Sequence, residues 1–459
     1  MNIKFYNTRS RATETFSPIN PDAVRMYHCG PTVYDYAHIG NLRSYVFADV
    51  LRRTLECAGL RVTQVINITD VGHLTSDADE GEDKLEAGAR REHKSAREIA
   101  LFYTHAFLQD LAHLRIKTDG TIFPKATDHI PEQIALIQAL EKNGFTYITS
   151  DGVYFDTARF PAYAEFARLD LSGMREGARI EKNLEKRNPT DFALWKFSPK
   201  DGKREQEWDS PWGVGFPGWH IECSAMSMKY LGEQFDIHTG GIDHIPVHHT
   251  NEVAQSECAT GKSPFVNIWL HNAFVNVDGK RMAKSAGTFI TLAEIVERGF
   301  SPLAYRYFLL TAHYRTPVNF TWEGLAGAQV ALSRISIMIS EWPDGGKICM
   351  PCDEKFRAAI ADDLNTSEAL AVVWKLISRD DVSPADKKAT LLAWDEVLGL
   401  GLASARLPEI PSRVRELAEE RAEARNANDF TRADEIRAEI ESLGFEVRDT
   451  DIGPKITKK

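Results

Sequence analysis

The sequence predicts an α/β fold with a ligand-binding edge, and two observations lead to this prediction. Apolar segments at 23–27 and 60–69 have the composition of buried strands, and residues 42–55 between them show helical periodicity. The intervening loop, CGPTVYDYAHIGN, is punctuated by glycine and proline. A strand, a loop and a helix N-terminus in this order present free backbone N–H groups to an anionic ligand. We therefore expect ligands at the carboxyl edge of the sheet.

The composition is that of a soluble globular protein. A chain of this length typically forms about three domains. Hydrophobic residues make up 43% and charged residues 26% of the 459 positions. Six irregularly spaced cysteines do not form a disulfide scaffold. The sequence shows neither a signal-peptide pattern nor an apolar run of membrane-spanning length, which predicts a cytoplasmic protein without a membrane partner. The net charge of −11 argues mildly against nucleic-acid binding, although a sum does not show a local basic face.

The first half of the chain continues the α/β alternation around a stretch of different character. Residues 145–149 and 153–155 flank Ser-Asp-Gly, which indicates a hairpin. Residues 125–205 are expected to be an insertion, with a charged helix-like stretch at 179–186. The other expected elements are an acidic loop or helix start at 77–84, helices at 95–114, 131–142, 219–231 and 246–259, a strand at 235–238 and a turn at 239–241.

The second half is mostly helical after one more strand. A strand at 265–277 ends in the turn Asp278-Gly279, and a basic loop follows at 280–287. Two prolines in 402–412 indicate a linker. The predicted helices are 292–297, 303–311, 322–339, 353–377, 384–398, 413–426 and 430–442, and a short tail with a basic end follows at 444–459.

Two cysteines, a histidine and a glutamate form a candidate metal site. His248 and Glu252 are four residues apart on a predicted helix and leave it on the same face. With Cys29 and Cys223 they would give an S₂NO donor set suited to tetrahedral Zn²⁺. The two cysteines are almost 200 residues apart in the sequence. From spacing alone, two buried structural cysteines and a solvent-facing His–Glu pair are the favoured interpretation.

Two further segments have the chemistry of a phosphate site. Gly40 would let a phosphate approach closely and His38 can donate a hydrogen bond to it, although a capping turn with Asn41 as N-cap explains the segment as well. Residues 280–285 carry three cations after a glycine turn. They suit a phosphoryl transition state, but a solvated basic loop is an equal alternative.

Six motifs taken together resemble cysteinyl-tRNA synthetases, in the same order and with similar spacing. They are HCGPTVYDYAHIGN, NITD, WHIECSAM, FDIHTGGIDH, HHTNEVAQSEC and RMAKS. The resemblance implies a Rossmann-like class I synthetase catalytic domain at 1–124 and 206–280, a connective-peptide insertion at 125–205, a junction region at 281–320, a helical bundle at 321–401 and a C-terminal anticodon-binding domain at 402–459.

The resemblance also implies roles for individual residues. The two family signatures are altered here: H-I-G-H appears as HIGN and K-M-S-K-S as RMAKS. Arg281 keeps the charge of the first lysine but not its compact ammonium. The implied metal ligands are Cys29, Cys223, His248 and Glu252; the cysteine-binding residues are Thr69, Trp219 and His238; the ATP-binding residues are Gly40, Asn41, Arg281, Met282, Lys284 and Ser285; the catalytic residues are His38 and Lys284.

The function implied is ATP-dependent activation of L-cysteine and its transfer to tRNA(Cys), with one Zn²⁺ per subunit and Mg²⁺ accompanying ATP. The zinc would separate cysteine from serine without an editing domain, and the chain is expected to be a monomer. Two alternatives are a mycothiol-type ligase that joins cysteine to an amino sugar and a non-catalytic RNA-binding descendant of a synthetase. The C-terminal segment from residue 413 favours tRNA over the amino sugar.

Overall fold

A computed structural model describes residues 1–73, 83–169, 185–199, 204–282, 288–404, 411–450 and 453–458. The helices are α1 (Ile39–Cys57), α2 (Lys84–Glu92), α3 (Ala96–His113), α4 (Ile130–Lys142), α5 (Trp219–Leu231), α6 (Thr250–Thr260), α7 (Leu292–Glu297), α8 (Pro302–Leu310), α9 (Trp322–Glu341), α10 (Met350–Ala361), α11 (Thr366–Ile377), α12 (Pro384–Leu398), α13 (Ser412–Asn426) and α14 (Phe430–Ser442). In the described part of the chain, no helix has the length and apolar character needed to cross a membrane.

In the described residues the strands form a central parallel sheet and four further sheets. They are β1 (Lys4–Asn7), β2 (Ala12–Thr15), β3 (Ala23–His28), β4 (Arg61–Ile66), β5 (Thr146–Thr149), β6 (Gly152–Phe155), β7 (Phe192–Phe197), β8 (Gly215–Pro217), β9 (Phe235–Gly241), β10 (Val266–Asn272), β11 (Val275–Val277), β12 (Lys280–Arg281), β13 (Val318–Phe320), β14 (Phe445–Thr450) and β15 (Gly453–Lys458).

The central sheet has four parallel strands in the order β10-β9-β3-β4. Helix α1 connects β3 to β4 and α6 connects β9 to β10, as parallel neighbours require. The predicted α/β fold is therefore confirmed. The antiparallel sheet β5-β6-β7-β8 lies in sequence between the two halves of this unit, and its last strand follows residue 205.

The described chain divides into two compact units. The first comprises Met1–Leu332 and Asp344–Gly401, and the second comprises Ser333–Pro343 and Leu402–Lys459. In the second unit, α13 and α14 bury a small core with β14 around Leu417, Ile436 and Phe445. The tail predicted at 444–459 is thus a β-hairpin, with residues 451, 452 and 459 outside the description.

Three predicted elements differ from the structure in an informative way. The expected turn at 239–241 belongs to β9, because Gly240 pairs with His271 in the neighbouring strand. The strand expected at 265–277 breaks after Asn272 and continues in the sheet β12-β11-β13. The helix expected at 353–377 is two helices. The stretches expected at 77–84 and 179–186 lie mostly outside the described residues.

The helix break between α10 and α11 is fixed by contacts with the N-terminal strands rather than by glycine or proline. Asp363 has a positive φ of 54°, and its carboxylate accepts hydrogen bonds from the Tyr6 N–H at 2.9 Å and the Tyr314 hydroxyl at 2.7 Å. Asn365 then caps α11 through the N–H of Glu368. An Asn followed three residues later by Glu is an N-terminal helix signal, so the restart was visible in the sequence.

A buried ionic cluster joins α1 to the helices that follow the sheet. Asp49 accepts from Arg53 at 2.7 Å and from Arg306 at 2.5 Å, and all three residues are buried. Asp49 also accepts from the N–H of Lys117 at 2.8 Å, while Arg306 donates to the carbonyl of Leu398 at 2.7 Å. Since each charge has several partners, the cluster couples α1, α8 and α12.

We predict that Asp49→Asn lowers the free energy of unfolding of the first unit by about 3–5 kcal/mol, because two guanidinium groups lose their buried counter-charge. Urea unfolding followed by tryptophan fluorescence measures the change. Glu294→Gln is the matched control, because it removes the exposed pair with Arg298 at 2.9 Å and should cost about 0.5 kcal/mol or less. Equal losses in the two variants would contradict a structural role for the buried cluster.

Candidate active site

A cleft opens at the carboxyl edge of the central sheet, where β3, β4 and β9 end. Its walls include Cys29 after β3, Thr69 after β4 and Gly241 at the end of β9. The same cleft continues to His38 and Asn41 at the start of α1. Its position is the one that open parallel sheets use for ligands.

Four potential metal ligands converge at one end of this cleft. One donor atom each of Cys29, Cys223, His248 and Glu252 lies within 4.8 Å of all the others. Cys223 is on α5, His248 is in a π-helical turn at Ile245–His249, and Glu252 is on α6. Cys29 is half-buried and the other three are buried. The four residues therefore lie together in the structure, although their spacing in the sequence alone did not favour a shared site.

The donor atoms fit a divalent cation. His248 Nε2 and Glu252 Oε1 are 3.0 Å apart, yet both are buried and neither makes a hydrogen bond of acceptable geometry with any described residue. Orphaned polar atoms of this kind are costly unless something else satisfies them. Two thiols, an imidazole and a carboxylate are a recognised tetrahedral donor set.

A second set, Cys29, His238, His249 and Glu252, meets the same distance limit. The His238 ring of this set is already engaged at both nitrogens: Nε2 lies 3.0 Å from Glu252 Oε2, and Nδ1 lies 3.3 Å from the carbonyl oxygen of Thr239. His248 Nε2, by contrast, makes no hydrogen bond of acceptable geometry with a described residue, although Glu252 Oε1 lies 3.0 Å away. The first set is therefore the better candidate.

Mutual electrostatics keep part of the cluster ionised. Burial opposes ionisation of Glu252, but His238 and His248 lower its pKa to about 2. Burial also raises the pKa of Cys223, yet a hydrogen bond from Cys29 and the charge on His248 bring it down to about 6. Burial, followed by the neighbouring Cys223, raises the pKa of Cys29. The cluster thus contains anionic donors suited to a cation.

An outer layer of histidines contacts the cluster. His220 Nδ1 lies 2.9 Å from His248 Nδ1, and His249 Nε2 lies 3.2 Å from Cys29 Sγ. Burial lowers the pKa of His220, His249 and His271 well below the ordinary value, so these rings are neutral. None of these three was predicted from the sequence. Only His249 had a signal in the sequence, the density of histidines at 244–249, which periodicity alone does not sort into layers.

The residues expected to bind cysteine occupy two different depths. Trp219 and Thr69 line the cleft, and the Trp219 ring packs on His248 with centroids 4.4 Å apart. His238 is fully buried, stacked on Trp269 at 4.5 Å and hydrogen-bonded to Glu252. A role of His238 in binding cysteine stays a prediction.

Residues 70–73 follow Thr69, and the sequence assigned no role to 71–73. His73 Nε2 lies 2.7 Å from Glu222 Oε1, and both side chains are buried. Asp70 accepts from the Thr127 N–H at 2.9 Å and hydroxyl at 2.6 Å. The segment is thereby attached both to the helix that carries Cys223 and to the start of the insertion.

The other end of the cleft is shaped by the start of α1. The helix begins at Ile39, so the N-cap is His38 and not Asn41, the N-cap in the alternative interpretation of this segment. Asn41 is the third helical residue: its Oδ1 accepts from the His38 N–H at 3.1 Å, and its N–H donates to His38 Nδ1 at 3.0 Å. Burial lowers the pKa of His38. The neutral ring therefore carries its proton on Nε2.

The RMAKS segment contacts the HIGN segment through Met282 and Gly40. A Cβ on Gly40 would stand 2.5 Å from the terminal methyl of Met282, so glycine permits the close approach. Arg281 pairs with Asn276 through its backbone. Lys284 and Ser285 lie outside the described residues.

Comparison with known proteins agrees with this architecture. The family model for the class I (C) tRNA synthetase catalytic domain matches residues 15–330, and that for the cysteinyl-tRNA ligase anticodon binding domain matches 407–453. Cysteine–tRNA ligase 1 of Burkholderia lata is 52% identical, covering 99% of this chain and 97% of its own. The ligase of Treponema denticola is 45% identical, covering 98% of both chains.

Solved structures share the fold at low sequence identity. A methionyl-tRNA synthetase of Mycobacterium tuberculosis with methionyl-adenylate has a TM-score of 0.58 at 14% identity, covering 84% of this chain and 93% of its own. A leucyl-tRNA synthetase complex from Agrobacterium radiobacter has a TM-score of 0.59 at 11% identity, covering 84% of each chain. With the two family matches, these findings show that the chain belongs to the cysteine–tRNA ligases, a family of class I aminoacyl-tRNA synthetases.

Proposed function

We propose that this cysteine–tRNA ligase selects its amino acid with a zinc ion held by Cys29, Cys223, His248 and Glu252. The observation that carries the proposal is the convergence of these donors, two of them orphaned and buried, in the cleft that also reaches His38. The reaction proposed is activation of L-cysteine to cysteinyl-adenylate and transfer to the 3′ end of tRNA(Cys).

Selection of cysteine over serine needs more than the shape of a pocket. A difference of this size in an apolar pocket is worth only about 1–3 kcal/mol. A bound Zn²⁺ would supply a soft Lewis acid that accepts a thiolate as a further ligand much more readily than a hydroxyl. The chain's own contribution is to hold the cation beside the cleft wall formed by Trp219 and Thr69.

The phosphate end is proposed to orient ATP for in-line attack by the cysteine carboxylate on the α-phosphorus. The Nε2–H of His38 is directed by its capping bonds and can donate to a phosphate oxygen. Arg281, Met282, Lys284 and Ser285 are proposed to complete this end, with Lys284 contributing charge and Mg²⁺ accompanying ATP. Gly40 leaves room for the approach, and Asn41 donates through its amide.

The two alternatives are less well supported than tRNA charging. The match of residues 407–453 to an anticodon-binding domain favours tRNA over an amino sugar as acceptor. A non-catalytic RNA-binding protein would not require metal donors and a phosphate-facing histidine in one cleft. Cysteine-dependent ATP–pyrophosphate exchange, followed by charging of purified tRNA, separates all three activities.

We predict that Cys223→Ser weakens Zn²⁺ binding by more than about 100-fold, since loss of even an outer contact typically costs about 10- to 100-fold. Metal analysis of the purified protein and cysteine-dependent ATP–pyrophosphate exchange should both fall. Cys258→Ser is the control, because Cys258 is also buried but lies outside the cluster. Normal exchange by a zinc-free Cys223 variant would refute the proposed selection.

The Asn41 position tests the phosphate end. Asn41→Asp keeps the oxygen that caps α1 but places a negative charge beside the expected phosphates, so the KM for ATP should rise by about tenfold or more. Asn20→Asp is matched, because Asn20 Oδ1 also accepts a backbone N–H, from Asp22 at 3.0 Å, on an exposed loop. An unchanged KM for ATP in the Asn41 variant would remove Asn41 from the proposed ATP site.

The C-terminal unit is proposed to bind the anticodon region. A chain ending at Gly401 should retain ATP–pyrophosphate exchange but lose about 10²-fold or more in kcat/KM for tRNA, because the second tRNA contact is gone. Parallel exchange and charging assays measure the two steps. Undiminished charging by the truncated chain would show that the anticodon contacts lie elsewhere.

A further inference from the structure

Three buried side chains lead away from Cys29 to the N-terminal strands. His249 Nε2 lies 3.2 Å from Cys29 Sγ, and His249 Nδ1 lies 2.7 Å from His271 Nε2. His271 Nδ1 lies 2.7 Å from Thr8 Oγ1. Thr8, His271 and His249 are all at most 3% exposed. We call this set the Thr8 relay.

We propose that the Thr8 relay positions His249 so that its Nε2–H is directed at the sulfur of Cys29. This hydrogen bond stabilises the binding of that sulfur to the metal ion. The inference rests on the proposed zinc site and assigns it an outer layer of residues. It gives a role to Thr8, which lies outside all six motifs of the sequence.

The direction of the relay follows from proton counting. A metal-bound cysteine sulfur has no proton and can only accept a hydrogen bond. His249 must then donate through Nε2, which leaves its Nδ1 as an acceptor because a neutral imidazole has one N–H. His271 must donate through Nε2 and accept at Nδ1, so the Thr8 hydroxyl is the terminal donor. Each ring has one tautomer consistent with the whole set.

The terminal donor is held in place by its strand neighbours. The N–H of Thr8 donates to the carbonyl of Trp269 at 2.8 Å. The Asn7 side chain bonds both the carbonyl of Asn267 at 2.9 Å and the N–H of Trp269 at 3.1 Å. These bonds attach the end of β1 to β10, the strand that carries His271. Thr8 is therefore fixed opposite the ring that it must orient.

Thr8→Val tests the relay at its far end, because it removes the hydroxyl while keeping the shape of the side chain. The expected result is Zn²⁺ release to a chromogenic chelator about three- to tenfold faster than from the unaltered full-length chain, the size of one hydrogen bond. In the Co²⁺-loaded protein the thiolate-to-cobalt charge-transfer band should shift. His249→Phe, which removes the direct donor, should weaken metal binding by about 10- to 100-fold.

Two controls separate the relay from general destabilisation. Thr8→Ser restores the hydroxyl and should release Zn²⁺ at the rate of the unaltered chain. Thr54→Val removes another buried hydroxyl, one that hydrogen-bonds to no described residue, and should leave both readouts unchanged. Equal release by the Thr8→Val and unaltered chains, with an unshifted cobalt band, would overturn the relay alone. An unaltered chain that retains no metal would overturn the zinc site and the relay with it.

Discussion

The buried carboxylate of Glu252 is the constraint on which the site depends. A fully buried carboxylate is unfavourable unless charge and hydrogen bonds compensate it. His238 occupies one oxygen at 3.0 Å, and the other oxygen faces His248 at the same distance without a hydrogen bond. Glu252 Oε1 and His248 Nε2 thus face the point at which the sulfur atoms of Cys29 and Cys223 also arrive. A divalent cation there would satisfy all four groups.

Sheet topology then connects the amino-acid end of the cleft to the phosphate end. Because β3, β4 and β9 are parallel neighbours, the residues that follow them lie at one edge. The loop after β3 runs from Cys29 to His38, so one short segment contacts both ends of the cleft. The reciprocal caps between His38 and Asn41 show that asparagine at the altered signature position has a structural role in the helix start.

The sequence was most informative where periodicity and local signals act alone. The strand at β3, the helix at Trp219–Leu231 and the hairpin of β5 and β6 follow from apolar spacing and turn chemistry. The grouping of Cys29 with Cys223 depends on long-range topology, and only the family resemblance indicated it. His248 and His249 are adjacent in sequence but face different partners, because neighbouring residues of a helical turn leave it on different faces. The break at Asp363 depends on a tertiary contact with β1, whereas the restart of α11 carries a local signal, Asn365 followed three residues later by Glu368.

The central claim is that this cluster binds zinc and that the zinc recognises the substrate sulfur. Zinc-edge X-ray absorption on the full-length protein, recorded without amino acid, with cysteine and with serine, tests it most directly. The account predicts one zinc per chain with two sulfur ligands, a third sulfur on addition of cysteine, and no change on addition of serine. A metal-free protein, or a sulfur count that cysteine does not change, would contradict it.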